Sequence, residues 1–557
     1  MSRVEGWLKL RTYANRKAAG IGVTETEPIQ LYAAFMNTPT PSPQRRRLLL
    51  SALAGSTGPL FIRHARADSV ERFALGIASG CPRPSTLVLW TRLSGSELPA
   101  QVKVDWELAE DEGFTKPVAK GQELAFAADG HSVHAEPAGL KPDRWYWYRF
   151  TALGARSMTG RTRTAPAPDA KVSELRFAIA SCQRWDHGRY AAWADMARQD
   201  LDLVLFLGDY IYEYAAVSNA SASGPAPRVH LGGLCRSLDD YRQRYAQYKS
   251  DPALQAMHAR APWIVTWDDH EVDNDWAGDS SQGLEADFPQ RRVAAAQAYW
   301  EHMPFPKALR PRGHEIRIHE RYDWGQLARI ISVDGRQWRD PQVCPKPGRG
   351  GSNTLSIKDC PDFLDPRRSL LGAAQEQWLA QSWDASRPWN LLAQQTLMAR
   401  MNWQENPERP GVYWTDGWDG YPLARRRLLS EMAARKPRNA VVLGGDVHAN
   451  YVADLRADFD LPVGAGNPVL ATEFCGTSIS SQGLDQSRID RALPHNPHLR
   501  YGRGDQHGYM RFQLSQAKLE VELRSVKELW DAGSALEVSA RFAVESGRAG
   551  AHSLSDT

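Results

Sequence analysis

Val204-Leu-Phe-Leu-Gly-Asp209-Tyr-Ile-Tyr212-Glu213 is an apolar run that breaks off in an acid and two phenols. A short, wholly apolar strand belongs to a sheet covered on both faces, and in open α/β sheets ligands collect beyond the carboxyl ends of such strands. The Gly-Asp pair therefore delivers a carboxylate to that edge. Two further runs follow the same grammar: Trp263-Ile-Val-Thr-Trp267-Asp268-Asp269-His270-Glu271 and Ala440-Val-Val-Leu-Gly444-Gly-Asp446-Val-His448. Three strand ends carrying Asp, Asp/His and Asp/His predict a metal site assembled from separate loops.

Around these runs, strands and helices alternate. Strands are expected at Leu175–Ala180, Leu201–Leu207, Glu315–Arg321 and Ala328–Val333. Helices are expected at Tyr190–Arg198, Asp239–Tyr248, Ala253–Ala259, Gln290–His302, Ala373–Trp383 and Leu423–Ala434. That alternation predicts a layered α/β domain over residues 170–545, closed by two strands between Gly508 and Val526. Residues 546–557 read as a polar, frayed tail. Upstream the grammar differs. Thr86–Thr91, Val102–Leu108 and Arg144–Thr151 alternate with period two, and no long amphipathic helix intervenes. This predicts a small all-β, immunoglobulin-like sandwich over residues 68–165, joined by the linker Thr164–Asp169. A chain of 557 residues is long enough for two such domains.

Residues 1–67 read as an N-terminal extension and export signal. Arg45-Arg46-Arg47-Leu48-Leu49-Leu50 opens an apolar stretch running to Phe61, and Ala65-Arg66-Ala67 offers small residues for cleavage. The paired arginines fit the twin-arginine type, so the expected partner is the twin-arginine export machinery and the expected location is periplasmic or secreted. Met36 is read as the start. Ser51, Gly55, Ser56, Gly58 and Pro59 make the apolar stretch a poor membrane anchor. Export permits disulfides, and Cys344 and Cys360 flank a Pro/Gly/Ser-rich loop that a bridge would staple. The net charge of +3, spread without a basic stripe, gives no reason to expect nucleic-acid binding. A monomer is expected.

Phenols ionise near pH ~10, so ligation by tyrosine at neutral pH calls for a strong Lewis acid. Tyr212 is one candidate, with Tyr210 and Tyr214 in competition. Ala180-Ser181-Cys182-Gln183 ends another strand at the same edge, where a thiol would ionise beside a metal. Thiolate, phenolate, carboxylate and one imidazole together favour trivalent iron over zinc. Asp269 and Asp446 add hard oxygens suited to calcium, magnesium or manganese, and Asp209 lies between the two sets.

At this point several long motifs stand in one order: Val204–Glu213, Thr266-Trp-Asp-Asp-His-Glu-Val-Asp-Asn-Asp275, Gly444-Gly-Asp-Val-His448-Ala-Asn450 and Ala471-Thr-Glu-Phe-Cys-Gly-Thr-Ser-Ile-Ser-Ser481. Together they resemble the motifs of PhoD-like alkaline phosphatases, metallophosphoesterases related to purple acid phosphatases. Ala78-Ser-Gly-Cys-Pro-Arg-Pro-Ser-Thr-Leu-Val-Leu-Trp-Thr-Arg92 is similar to the opening of that family's N-terminal sandwich, with Cys81 where the family usually has Asp. The resemblance runs from about Phe73 to Val526.

The resemblance implies a metallophosphoesterase-like α/β sandwich with Fe3+ on Cys182, Asp209, Tyr212 and His448, and Ca2+ on Asp209, Asp269 and Asp446. Zn2+ and Mn2+ are less favoured. It implies an exported hydrolase that cleaves small-molecule phosphate esters by metal-activated hydroxide for phosphate scavenging. His270, beside the calcium ligand, is expected to contact phosphate or protonate the leaving group. Arg336, at the end of another strand, is expected either to pair with phosphate oxygens in bidentate fashion or to form a structural ion pair. No chemistry is assigned to Thr472–Ser481. Three rival readings stand beside this one: a phosphodiesterase or phospholipase D-type hydrolase on the same site, a non-catalytic exported binding protein on a retired scaffold, and a zinc–zinc hydrolase.

Overall fold

The computed structural model describes residues 71–216, 228–406 and 408–554. The export signal, Met36 and the 1–67 extension lie outside the described residues. No helix among the described residues is long and apolar enough to cross a membrane.

Two sheets face each other. At the centre of one, Glu174–Ala180, Leu203–Phe206 and Trp263–Val265 run parallel as neighbours. In the other, Ala328–Ser332, Trp389–Ala393, Ala440–Gly444 and Ala471–Cys475 do the same. Leu203–Phe206 and Ala440–Gly444 are buried along their whole length, which is why they read as unbroken apolar runs. Phe177, Leu205, Ile330, Leu391, Val441 and Phe474 share the core between the sheets. Phe474 of one sheet meets Phe512 of the other edge-on at 5.7 Å between centroids. Each such side chain stabilises the fold by about 1.5–3 kcal/mol when fully buried.

Helices cover the outer faces. On the second sheet, Ile331, Leu392 and Val442 pack with Leu379 of helix Ala373–Ala380 and with Leu429 and Met432 of helix Pro422–Arg435. On the first, Trp193 of helix Ala191–Met196 lies against Phe206 and Trp263. Helix Leu238–Lys249 starts where it does because Ser237 Oγ accepts from Asp240 N (3.2 Å) while the Asp240 carboxylate accepts from Ser237 N (2.8 Å). The order is helix, sheet, sheet, helix; the alternating pattern predicts a layered α/β domain, and the sandwich of two sheets is what the resemblance implies.

The expected N-terminal β region is present. Gln101–Ala109, Pro117–Phe126 and Trp145–Ala152 form a sheet with two short partners, and Val104, Tyr146 and Tyr148 pack beneath it against Leu89. Ile77–Gly80, Val88–Arg92 and Ser132–Ala135, however, belong to the first central sheet, where Gly80 pairs in parallel with Trp263. One layer of the β region is thus continuous with the α/β domain.

Strands Thr354–Ser356, Val412–Trp414, Asn450–Leu455 and Leu499–Arg503 and helix Gln486–Ala492 are elements that the pattern does not predict, and three more places differ from expectation. The strand expected from Glu315 begins at Glu320. Ile316 and Ile318 are still buried, but the Gln337 side chain takes the place of a neighbouring strand, accepting from Ile316 N (3.1 Å) and donating to Ile316 O (2.7 Å). A third closing strand, Leu536–Glu545, follows the two expected ones, and its alternating Leu536, Val538, Ala540, Phe542 and Val544 carry the period-two signal. The tail is not frayed where it is described: His552 and Ser553 pair with Ala543 and Phe542.

Cys344 and Cys360 form a disulfide across a sequence separation of 16, and Cys81, Cys182, Cys235 and Cys475 are free and buried. A loop of this length restricts the unfolded chain by about 3 kcal/mol. Replacing both cysteines with serine is expected to lower the unfolding free energy by about that amount. An unchanged denaturation midpoint in urea would count against it.

Candidate active site

The parallel strands of both sheets end on one side of the molecule, and their first loop residues supply the polar groups. Cys182 (φ 58°), Asp209 (φ 60°), Asp446 (φ 65°) and His448 (φ 51°) all adopt the left-handed backbone conformation, which costs non-glycine residues about 1 kcal/mol or more. Four such residues converging on one place mark a site whose geometry the surrounding fold imposes. Gly208, at φ +112°, must be glycine: a Cβ there would lie 2.4 Å from Asp268 Cβ. Backbone bonds from Cys182 N to Gly208 O and from Gln183 N to Asp209 O, each 3.1 Å, tie two of the loops together.

All six expected ligands converge. Donor atoms of Cys182, Asp209 and His448 lie within 4.8 Å of one another, as do those of Asp209, Asp268, Asp269 and Asp446. Asp209 belongs to both groups. Tyr212, not Tyr210 or Tyr214, completes the first, with its phenol 2.9 Å from Asp209 Oδ2 and 3.2 Å from His448 Nε2. Tyr210 turns away to His258, and Tyr214 donates to Asn274. His448 Nδ1 donates to Gln482 O (2.8 Å), which leaves the Nε2 lone pair facing Tyr212 and Asp209. Burial lowers the His448 pKa to about 4, which keeps the imidazole in its neutral, ligating form.

His270 stacks on Tyr212 with centroids 4.0 Å apart, and its Nδ1 meets Glu213 Oε2 at 2.8 Å. Burial alone would lower its pKa, but Asp269, Glu213 and Asp209 together raise it well above the usual value. Arg336 is fully buried. Its guanidinium bonds Asp268, reaches Asp416 at 2.8 Å and lies 3.6 Å from Asp269. It is therefore occupied by carboxylates.

Several residues act here that strand-end patterns do not reveal. Asp268 joins Asp269 in the carboxylate cluster. Glu271 accepts from the backbone N–H groups of Asp209 (3.1 Å), Asp268 (2.8 Å) and Tyr210, stapling two loops. Ser481 Oγ donates to Cys182 O (2.8 Å) and lies 2.7 Å from Tyr212 Oη, which gives the Thr472–Ser481 motif a place against the site. Asp269, Asp275 and Asp416 form a further acidic group.

The cluster carries more acid than the protein neutralises. Asp269 Oδ1 and Asp446 Oδ2 are buried with no hydrogen-bond partner in the chain. Burial, reinforced by Asp269 and Asp416 against the pull of Arg336, raises Asp446 to about 7. Burial, then the Asp209 charge, pushes the Tyr212 phenol well up. A bound cation removes each of these penalties at once, and thiol, phenol, imidazole and carboxylate are all competent ligands. The group opens into a cavity of about 400 Å³ with Asp209, Asp269, His270, Asp446 and His448 in its lining.

Two facing sheets that bring acid, thiol and imidazole to their common edge define a metallophosphoesterase-like fold. Residues 177–523 match the PhoD-like phosphatase family, and residues 61–166 match the PhoD-like phosphatase N-terminal domain. The chain belongs to the PhoD-like phosphatase family and is a phosphoric ester hydrolase. It is 39% identical over 518 residues to alkaline phosphatase D of Bacillus subtilis (strain 168), a match covering 91% of this chain and 86% of that protein. The solved structure of PhoD superposes with a TM-score of 0.82 at 38% identity, covering 87% of this chain and 93% of that one.

Proposed function

We propose that the chain is an exported phosphoesterase with a mixed-metal centre: Fe3+ on Cys182, Asp209, Tyr212 and His448, and Ca2+ on Asp209, Asp269 and Asp446. The observation that carries this reading is the sharing of Asp209 between a sulfur–nitrogen–oxygen donor group and an all-oxygen one. When bound, such a pair supplies Lewis acidity, neutralises phosphoryl oxygens and acidifies an attacking water. Glu213 fixes the orientation of His270, and His270 hands a proton to the leaving alkoxide. Arg336 acts as a positioning residue, holding Asp268, Asp269 and Asp416 in register. Small-molecule phosphate esters are the substrates, and phosphate scavenging after twin-arginine export to the periplasm or medium is the role. The Cys344–Cys360 bridge supports an oxidising compartment.

Elemental analysis of natively exported protein, with activity followed before and after calcium chelation, tests the centre. Iron and calcium are expected together, with activity lost on chelation and restored by calcium. Protein holding neither metal and hydrolysing nothing would establish the binding-protein reading. Two zinc ions would establish the zinc hydrolase. Rates on an aryl monoester and an aryl diester separate phosphatase from phosphodiesterase.

Ser481 gives a subtler test. Removing a group that orients a metal ligand typically weakens metal affinity by about 10–100-fold. Ser481→Ala is expected to lose iron in that range in a chelator competition, with Ser481→Thr retaining most of it. Equal retention by wild type and the alanine variant would show that the hydroxyl does nothing for the site.

A further inference from the structure

The cavity lining also contains residues that the metal chemistry does not use. Met401, Trp403, Trp414, Leu484 and Arg488 line it together with the acids. Trp403 and Trp414 are half-buried, so both side chains keep part of their surface open. The Arg488 guanidinium lies over the Trp403 ring, 4.2 Å from its centroid, and makes no ion pair with a carboxylate among the described residues.

This part of the lining is held in place. Trp403 N donates to Val412 O (2.9 Å), while the Asn402 carboxamide accepts from Gln404 N (3.0 Å) and Val412 N (3.0 Å). Buried Asn496, just beyond helix Gln486–Ala492 that carries Arg488, accepts from Asn402 N (2.9 Å) and donates to Asn402 O (2.8 Å). The indole and the guanidinium therefore sit on two segments clamped to each other, a preorganised surface and not a chance contact.

A phosphoryl group needs only the acidic part of the lining. A short alkyl ester would leave the indoles wet, whereas a flat ring attached to the alcohol would cover them. We propose that the Trp403–Arg488 surface is the leaving-group subsite, and that it selects phosphate esters whose alcohol carries a flat, apolar ring. The ring packs against the open surface of Trp403 and Trp414, beside the Arg488 guanidinium that covers one Trp403 face. This rests on the proposed function, because the phosphoryl group must occupy the acid-lined part of the cavity.

The test compares phenethyl phosphate with ethyl phosphate on the metal-loaded protein. The two leaving alkoxides are chemically alike, so the ratio of their kcat/KM values reports the ring alone. Wild type is expected to favour the phenethyl ester by about 10-fold or more, the size of an apolar pocket's discrimination. Trp403→Ala is expected to bring the ratio toward one, Trp403→Phe to keep most of it, and Arg488→Gln to lower it in part. A wild-type ratio near one, or a ratio unchanged in Trp403→Ala whatever the absolute rates, overturns the subsite. If wild type cleaves neither ester but hydrolyses an aryl phosphate, the subsite is overturned alone; if it hydrolyses no phosphate monoester or diester, the proposed function fails and the subsite falls with it.

Discussion

Asp209→Asn is expected to remove about 10³-fold or more of kcat/KM and to strip both metals from the protein. Asn copies the shape of Asp, so the left-handed turn after Gly208 persists and the loss reports charge. The carboxylate at this position belongs to three candidate ligand groups and accepts the Tyr212 hydroxyl at 2.9 Å, so its neutralisation touches every part of the centre. Cys182→Ala, confined to one group, should lose iron while keeping calcium. Parallel metal analysis and kinetics on the two variants check both statements. Near-wild-type turnover by Asp209→Asn with a full metal complement would refute the assignment.

Arg336→Met is expected to destabilise the metal-free protein by about 3–5 kcal/mol, the usual consequence of breaking a buried ion network from one side. Arg336 and its partners Asp268 and Asp416 are almost fully buried, so water cannot replace the lost cation. The deficit should depend on pH, and its sign follows from the carboxylates. Burial already raises Asp268 well above the ordinary carboxylate value, against the opposing Arg336 charge. Without that charge its folded pKa rises further. A carboxyl group whose pKa is higher folded than unfolded stabilises the fold at low pH and loses that contribution as pH rises through the folded value. The gap between variant and wild type should therefore be widest at alkaline pH and narrow toward pH ~5. Urea unfolding at several pH values in chelator measures it. A gap that does not vary with pH would mean that the three acids do not depend on Arg336.

The strand-end acids were legible because a buried parallel strand needs an unbroken apolar run, and polar residues break it only where it leaves the sheet. That logic located Asp209, Asp269 and Asp446 and left the choice among three tyrosines open, since all three share one short loop. The direction each phenol takes is set by partners far along the chain, His258 for Tyr210 and Asn274 for Tyr214. Glu271 and Ser481 were illegible for a related reason. Their work is hydrogen bonding to backbone and phenol groups 61 and 269 positions away, which leaves no local period. The joining of the N-terminal β layer to the central sheet rests on a single pairing, Gly80 with Trp263, between residues far apart in the chain. No pattern within either segment announces it.

The strand leading to Cys182 has Leu203–Phe206 on one side and Gly508–Ser515 on the other. The carbonyl of Cys182 is gripped by Ser480, Ser481 and the Ser481 hydroxyl, all from the last quarter of the polypeptide. A ribosome-bound chain that has not yet emitted these residues owns the thiol and the first carboxylates but not the grip that aims them. Metal capture by the proposed centre is consequently expected to follow translation, governed by whichever ions are present in the compartment where the final strands settle.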